Sequence, residues 1–159
     1  QDTLLLLAGQ GSLLEETRKL ANELDLEDKV RFLGVRRDVP DLMNAADAYV
    51  MSSAWEGMPM VLLEAEACGL PVVATDVGGN SEVVLNNKSG YLVPPGDSEA
   101  LAAAMMKMMS LPEAERRAMG RAGRAHIEAN YSLERVVDQW EALYQELLQR
   151  KGIGVSGSS

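Results

Sequence analysis

Residues 53–75, SAWEGMPMVLLEAEACGLPVVAT, place two glutamates, Glu56 and Glu64, around the start of one short helix that runs into a strand. Proline lacks the N–H that a first helical turn leaves unpaired, so Pro59 suits the first helical position, and Gly69 suits a left-handed stop. The spacing predicts a helix from about Pro59 to Cys68. Its free N–H groups at Met60, Val61 and Leu62, with the positive end of the macrodipole, make an anion site just beyond a strand end. If the whole stretch had helical rise, the two carboxylates would stand roughly 12 Å apart. One could then reach a sugar on one side of a diphosphate and the other a ribose on the far side.

Working outward, the apolar run Thr3–Ala8 predicts a central parallel strand buried on both faces. The Gly9–Gly11 turn leads into a helix from about Leu13 to Leu24, with Ser12 and Glu15 spaced as a capping box. Strands are expected at Val30–Leu33, Ala48–Ser52, Pro71–Thr75 and Tyr91–Val93. Short helices are expected at Val39–Asn44 and Ser81–Leu85, and long ones at Ser98–Ser110, Glu113–Ala129 and Leu133–Gln149. Strands alternating with helices mean a parallel sheet with right-handed crossovers. The reading is one domain over residues 1–151, followed by a small-residue flexible tail at 152–159.

The 159 residues are long enough for a core without staples. The single cysteine, Cys68, excludes an internal disulfide, and no apolar run approaches a membrane span. A formal charge of −9 argues against nucleic acid or anionic lipid as partner, because both are repelled at long range. Any anionic substrate must be met by local dipoles. These features fit a cytoplasmic protein. The lone histidine, His126, reads as a packed or surface residue of a helix. With one His and one Cys there is no nitrogen or sulfur ligand set for zinc. Met105, Met106, Met108 and Met109 follow helical spacing and read as core filling. The last helix is amphipathic through Val136, Val137, Trp140, Leu143, Tyr144, Leu147 and Leu148.

The E-x7-E pair within S-x-x-E-G-M-P-M-V-L-L-E-A-x-A-C-G-L-P-V-V-A-T resembles the signature of retaining, GT-B-fold glycosyltransferases of family 4, also called group 1. Four further stretches agree in order: Gly9-Gln10-Gly11, Val30-Arg31-Phe32-Leu33-Gly34, Val77-Gly78-Gly79-Asn80-Ser81-Glu82 and Gly90-Tyr91-Leu92-Val93-Pro94-Pro95-Gly96-Asp97. The resemblance reaches to about Leu148. It implies the C-terminal, donor-binding domain, a Rossmann-like α/β fold with a helical C-terminal segment. The family's first strand, with its Gly-Arg-Leu turn and following Lys, has no counterpart here, nor has the acceptor-binding domain. Five parallel strands then remain, and Leu4–Leu7 pairing Tyr49–Met51 would close them into one sheet of flavodoxin-like order 2-1-3-4-5. A second chain filling the gap is the alternative.

By this resemblance the intact protein is a metal-independent hexosyltransferase using a nucleoside diphosphate sugar, a UDP-sugar favoured and a GDP-sugar the alternative, with no cofactor. Glu56, the residue assigned to catalysis, would bond donor-sugar hydroxyls. Backbone N–H groups of Gly57, Met58 and Met60 would meet the sugar and distal phosphate, and Glu64 would take the ribose diol. Gly9 and Gly11 would allow close approach of the donor, Val35 would pack on the base and Arg36 would stack on it. Any contact with the inner face of the membrane would come through the missing domain. The isolated fragment is expected to be inactive, and to form a homodimer through an unpaired strand edge or the C-terminal helix. On the residues alone, Glu56 also reads as a solvated loop acid, Glu64 as a helix-surface acid, and the turn as an ordinary strand-to-helix connection. A binding-only module and a flavodoxin-like cofactor or signalling domain are the rival functions.

Overall fold

A computed structural model describes residues 3–152. Five strands and seven helices follow in the order β1 (Leu5–Ala8), α1 (Leu14–Glu23), β2 (Val30–Gly34), α2 (Val39–Ala45), β3 (Tyr49–Met51), α3 (Met60–Ala67), β4 (Val72–Thr75), α4 (Asn80–Val83), β5 (Gly90–Val93), α5 (Ser98–Ser110), α6 (Glu113–Asn130) and α7 (Leu133–Arg150). The chain divides into two compact units, the first ending at Val39 and the second beginning at Pro40. From Ile153 on, the expected tail lies outside the described residues.

In the first unit β1 and β2 pair in parallel, Leu5 opposite Val30 through Leu7 opposite Phe32, and a register shift then sets Ala8 opposite Gly34. The Arg18 guanidinium of α1 lies 4.4 Å from the centre of the Phe32 ring. Two expectations fail here. Leu4, Leu5 and Leu6 are exposed, not buried on both faces, because β1 is an edge strand with β2 as its one ladder partner. The capping box does not form either. The N-cap is Leu13, one residue later than the box requires, which leaves Ser12 outside the helix and turns Glu15 toward Arg18 at 3.8 Å.

In the second unit β4 is the central strand of a parallel sheet ordered β3-β4-β5. Val72, Val73 and Ala74 are fully buried, as a strand covered on both faces should be. On one side α5 packs Ala104 and Met108 against Val73, Tyr91 and Val93. Helix α3 buries Leu62 and Ala65. Helix α6 approaches α3 at its glycines: a methyl on Gly120 would stand 1.7 Å from the Gly69 carbonyl oxygen, and one on Gly123 would stand 2.9 Å from the Glu66 carboxyl carbon.

The single five-stranded sheet of order 2-1-3-4-5 is replaced by two parallel sheets, β1-β2 and β3-β4-β5. The backbone bonds explain the split. Ladder bonds of β1 run to the β2 segment, with Leu5 N–H donating to the Lys29 carbonyl, while those of β3 run to β4, with Tyr49 N–H donating to the Pro71 carbonyl. Among the described residues β1 and β3 are each the end strand of their own sheet. Helix α7 follows the expected span with Ser132 as N-cap, its hydroxyl accepting the Arg135 N–H. None of its residues is buried, and Trp140, Leu143, Tyr144 and Leu147 stand exposed.

Candidate functional site

The chemistry-bearing loops of the second unit follow β3 and β4, so they gather at the carboxyl edge of that sheet. Helix α3 begins one residue later than expected. Pro59 is the N-cap, with an extended ψ of 105° rather than a helical one. Its carbonyl accepts the Leu62 N–H at 3.1 Å, which removes Leu62 from the expected trio of free donors. Met60 and Val61 keep N–H groups that find no acceptor among the described residues, as a helix start requires unless a side chain or ligand supplies one. The turn before Pro59 is not helical, so the carboxylate separation based on helical rise does not apply. Gly69 ends the helix at φ 76°, the left-handed conformation expected of it.

Glu56 is half-buried in this turn and Glu64 is exposed on α3. They nevertheless share a neighbourhood. Burial pushes the Tyr49 phenol above its ordinary pKa, and the charges of Glu64 and Glu56 push it further in the same direction. Both carboxylates therefore act on one side chain of β3. The loops Ser52–Pro59 and Asp76–Glu82 contain no lysine or arginine. An anion here would be met by backbone N–H groups and the α3 dipole.

The Glu56 turn is held from beneath by the 76–82 loop. Gly79 N–H donates to the Gly57 carbonyl at 2.8 Å, and a methyl on Gly78, whose φ is 50°, would stand 1.8 Å from the Glu56 carbonyl oxygen. The Ser53 hydroxyl donates to Glu56 Oε1 at 2.6 Å, the Thr75 hydroxyl to the Ser53 carbonyl at 2.7 Å, and Asn80 Nδ2 to the Thr75 carbonyl at 2.8 Å. The roles of Ser53, Thr75 and Asn80 emerge only from the folded structure. Their only signal in the sequence was the i, i+3 spacing of Ser53 and Glu56.

In the first unit the two expected loops also meet, since Gly9 N–H donates to the Gly34 carbonyl at 2.7 Å. Gly9 has φ 137°, whereas Gly11 has an ordinary φ and open space where a side chain would go. Val35 is exposed at the end of β2. Arg36 is held by Asp38 through Nε at 2.8 Å and a second guanidinium nitrogen at 2.5 Å. This hydrogen bond raises the Arg36 pKa and lowers that of Asp38. Edge-on pairing of this kind leaves the flat faces of a guanidinium free for stacking.

Two further polar clusters lie away from the Glu56 turn. Glu66, on the opposite side of α3 from Glu64, is fully buried and accepts the Ser89 hydroxyl at 2.5 Å, while its second oxygen has no partner among the described residues. Burial raises its pKa to about 6 despite the opposing pull of Ser89 and, more weakly, His126. His126 is a packing residue of α6, as expected. Its Nε2 meets the Glu82 carbonyl at 2.9 Å, a carbonyl that also accepts the Tyr131 hydroxyl at 3.0 Å. Among the described residues no group of three or more His, Cys, Asp or Glu is arranged to hold a metal, and no helix is long and apolar enough to cross a membrane.

The architecture is thus parallel α/β with a long C-terminal helix, as in the C-terminal domain of GT-B glycosyltransferases. Residues 1–126 match the family "Glycosyl transferases group 1", and the chain belongs to that family. It is 34% identical over 148 residues to N-acetyl-alpha-D-glucosaminyl L-malate synthase of Bacillus anthracis, covering 93% of this chain and 39% of that protein. Its fold superposes on sucrose-phosphate synthase of Thermosynechococcus elongatus with a TM-score of 0.81 and 32% identity, over 92% of this chain and 39% of that one. A TM-score of 0.81 and 30% identity relate it to Anabaena Alr3699/HepE in complex with UDP-glucose, over 89% of this chain and 41% of that one. The chain therefore spans about two fifths of the length of these relatives.

Proposed function

We propose that this chain is the donor-binding half of a retaining glycosyltransferase, which moves a sugar from a nucleoside diphosphate sugar to an acceptor hydroxyl. The observation that carries this reading is the pair Glu56 and Glu64, one in the turn before and one on α3 after the N–H groups of Met60 and Val61, which find no acceptor among the described residues. The UDP-glucose complex of the 30% identical HepE supports a UDP-sugar as donor. Glu64 takes the ribose diol, because a carboxylate accepts two hydroxyls at once. Glu56 takes hydroxyls of the donor sugar, and the N–H groups of Gly57, Met58 and Met60 meet the sugar and the distal phosphate. Catalysis, assigned to the intact protein, rests on holding the donor and stabilising the departing diphosphate.

Binding measurements on the intact protein with UDP and UDP-glucose test this assignment. Glu64→Gln is expected to weaken both ligands by about 1.5–3 kcal/mol, the worth of a charge-assisted hydrogen bond. Glu56→Gln is expected to spare UDP and to remove affinity only from UDP-glucose. Equal losses of UDP affinity in the two variants would contradict the division of labour.

A further inference from the structure

The hydrogen bonds beneath Glu56 run in one direction. Asn80 is fully buried and Thr75 is 3% exposed, so the start of the chain is anchored in the core. Asn80 Nδ2 donates to the Thr75 carbonyl at the end of β4, the Thr75 hydroxyl donates to the Ser53 carbonyl, and the Ser53 hydroxyl donates to Glu56 Oε1. A carbonyl acceptor fixes which end of the Asn80 amide faces Thr75, leaving Oδ1 buried and without a partner among the described residues. That orphaned oxygen is a cost to folding, so the amide is no passive filler of its site. The backbone is locked as well, by Gly79 N–H on the Gly57 carbonyl and by the Gly78 approach to the Glu56 carbonyl. Each donor in the relay constrains one rotation or one peptide plane of the Glu56 turn. At its outer end one carboxylate oxygen is engaged and the other has no partner among the described residues.

We propose that Ser53, Thr75 and Asn80 are positioning residues that fix the Glu56 carboxylate in one orientation, so that its Oε2 is the oxygen presented to the donor sugar. This rests on the reading of Glu56 as the sugar-contacting residue. Oε1 is engaged by the Ser53 hydroxyl, and the sugar meets a carboxylate whose rotamer is already set. Preorganisation of this kind lowers the ordering cost of binding without adding a contact.

The test uses the intact protein and the ratio of UDP-glucose to UDP affinity, a quantity that reports the sugar alone; GDP and GDP-mannose are run alongside. Ser53→Ala is expected to lower this ratio by about 10-fold, the lower end for a hydrogen bond to a charged group, with UDP affinity unchanged. Thr75→Val, which keeps shape and loses the hydroxyl, should act in the same direction. Ser53→Thr and Thr75→Ser should restore the ratio. Ser53→Ala added to Glu56→Gln should cost nothing further, because the relay acts only through that carboxylate. If Glu56→Gln abolishes the sugar increment while Ser53→Ala and Thr75→Val keep it, the relay is wrong and the reading of Glu56 stands. Equal losses for nucleotide and nucleotide sugar would mean a merely structural role and overturn the proposal. If Glu56→Gln leaves the increment intact, or the wild type binds neither pair, the underlying reading fails and the relay falls with it.

Discussion

Replacing Glu66 by glutamine should change how the stability of this protein depends on pH. Glu66 lies fully buried between α3 and α6, with one oxygen on Ser89 and the other without a partner among the described residues, and its pKa is raised from the usual 4.5 to about 6. A carboxyl whose folded pKa is raised favours the folded state while protonated. Its contribution is whole below pH 4.5, is lost as the unfolded chain ionises first, and is gone above pH 6. A difference of about 1.5 units at 1.36 kcal/mol each corresponds to about 2 kcal/mol. Glutamine keeps an oxygen for Ser89 and does not titrate. The stability of Glu66→Gln relative to wild type should therefore rise by about 2 kcal/mol between pH 4 and pH 7, with nearly all the change between 4.5 and 6. Urea unfolding followed by fluorescence suits this, since Trp55 and Trp140 both lie in the second unit. Other carboxylates titrate in the same range but cancel in the difference between the two proteins. Parallel stability curves for wild type and variant across pH 4 to 7 would refute the reasoning.

The glycine contact between α3 and α6 makes a second demand. Gly120→Ala would place a methyl 1.7 Å from the Gly69 carbonyl oxygen and should cost about 2–3 kcal/mol, a fall of roughly 5–10 °C in Tm, whereas Gly11→Ala, with open space and an ordinary φ, should change Tm by under about 2 °C. Equal melting temperatures for the two variants would remove the close approach from the account. The exposed Trp140, Leu143 and Leu147 face of α7 should make the chain associate with itself, and Leu143→Glu with Leu147→Glu should abolish the effect. Light scattering over a concentration series checks this, and a wild type that stays monomeric throughout would contradict it.

Helix and strand identities were legible because local rules decide them. Asp97 and Ser132 cap their helices through side-chain oxygens, Gly69 takes the left-handed stop, and the apolar run Val72–Ala74 is a fully buried strand. The errors share a cause. Apolar character in Leu4–Leu6 states what the strand can bury but not whether anything covers it. Likewise the Ser12 and Glu15 spacing permits a capping box without determining where α1 begins. Glu64 and Glu66, two residues apart on one helix, looked alike in sequence. One is exposed and the other fully buried, because α6 brings Gly123 over the second.

By itself, then, the sequence determined the alternation of parallel strands and helices, the turn that carries Glu56 with the helix that carries Glu64, and membership of a glycosyltransferase family, since all three depend on residue type at short and fixed spacing. The tertiary structure decided what depends on residues far apart in the chain. It divided the strands into two sheets, because a ladder needs two backbones in register and not two apolar runs. It also joined Thr75 to Ser53 across 22 positions of sequence, the link that ties the local pairs Asn80–Thr75 and Ser53–Glu56 into one relay. Hydrogen bonds require donors and acceptors within about 3 Å, and only the packing of β4 and α4 beneath the Glu56 turn brings these groups that close.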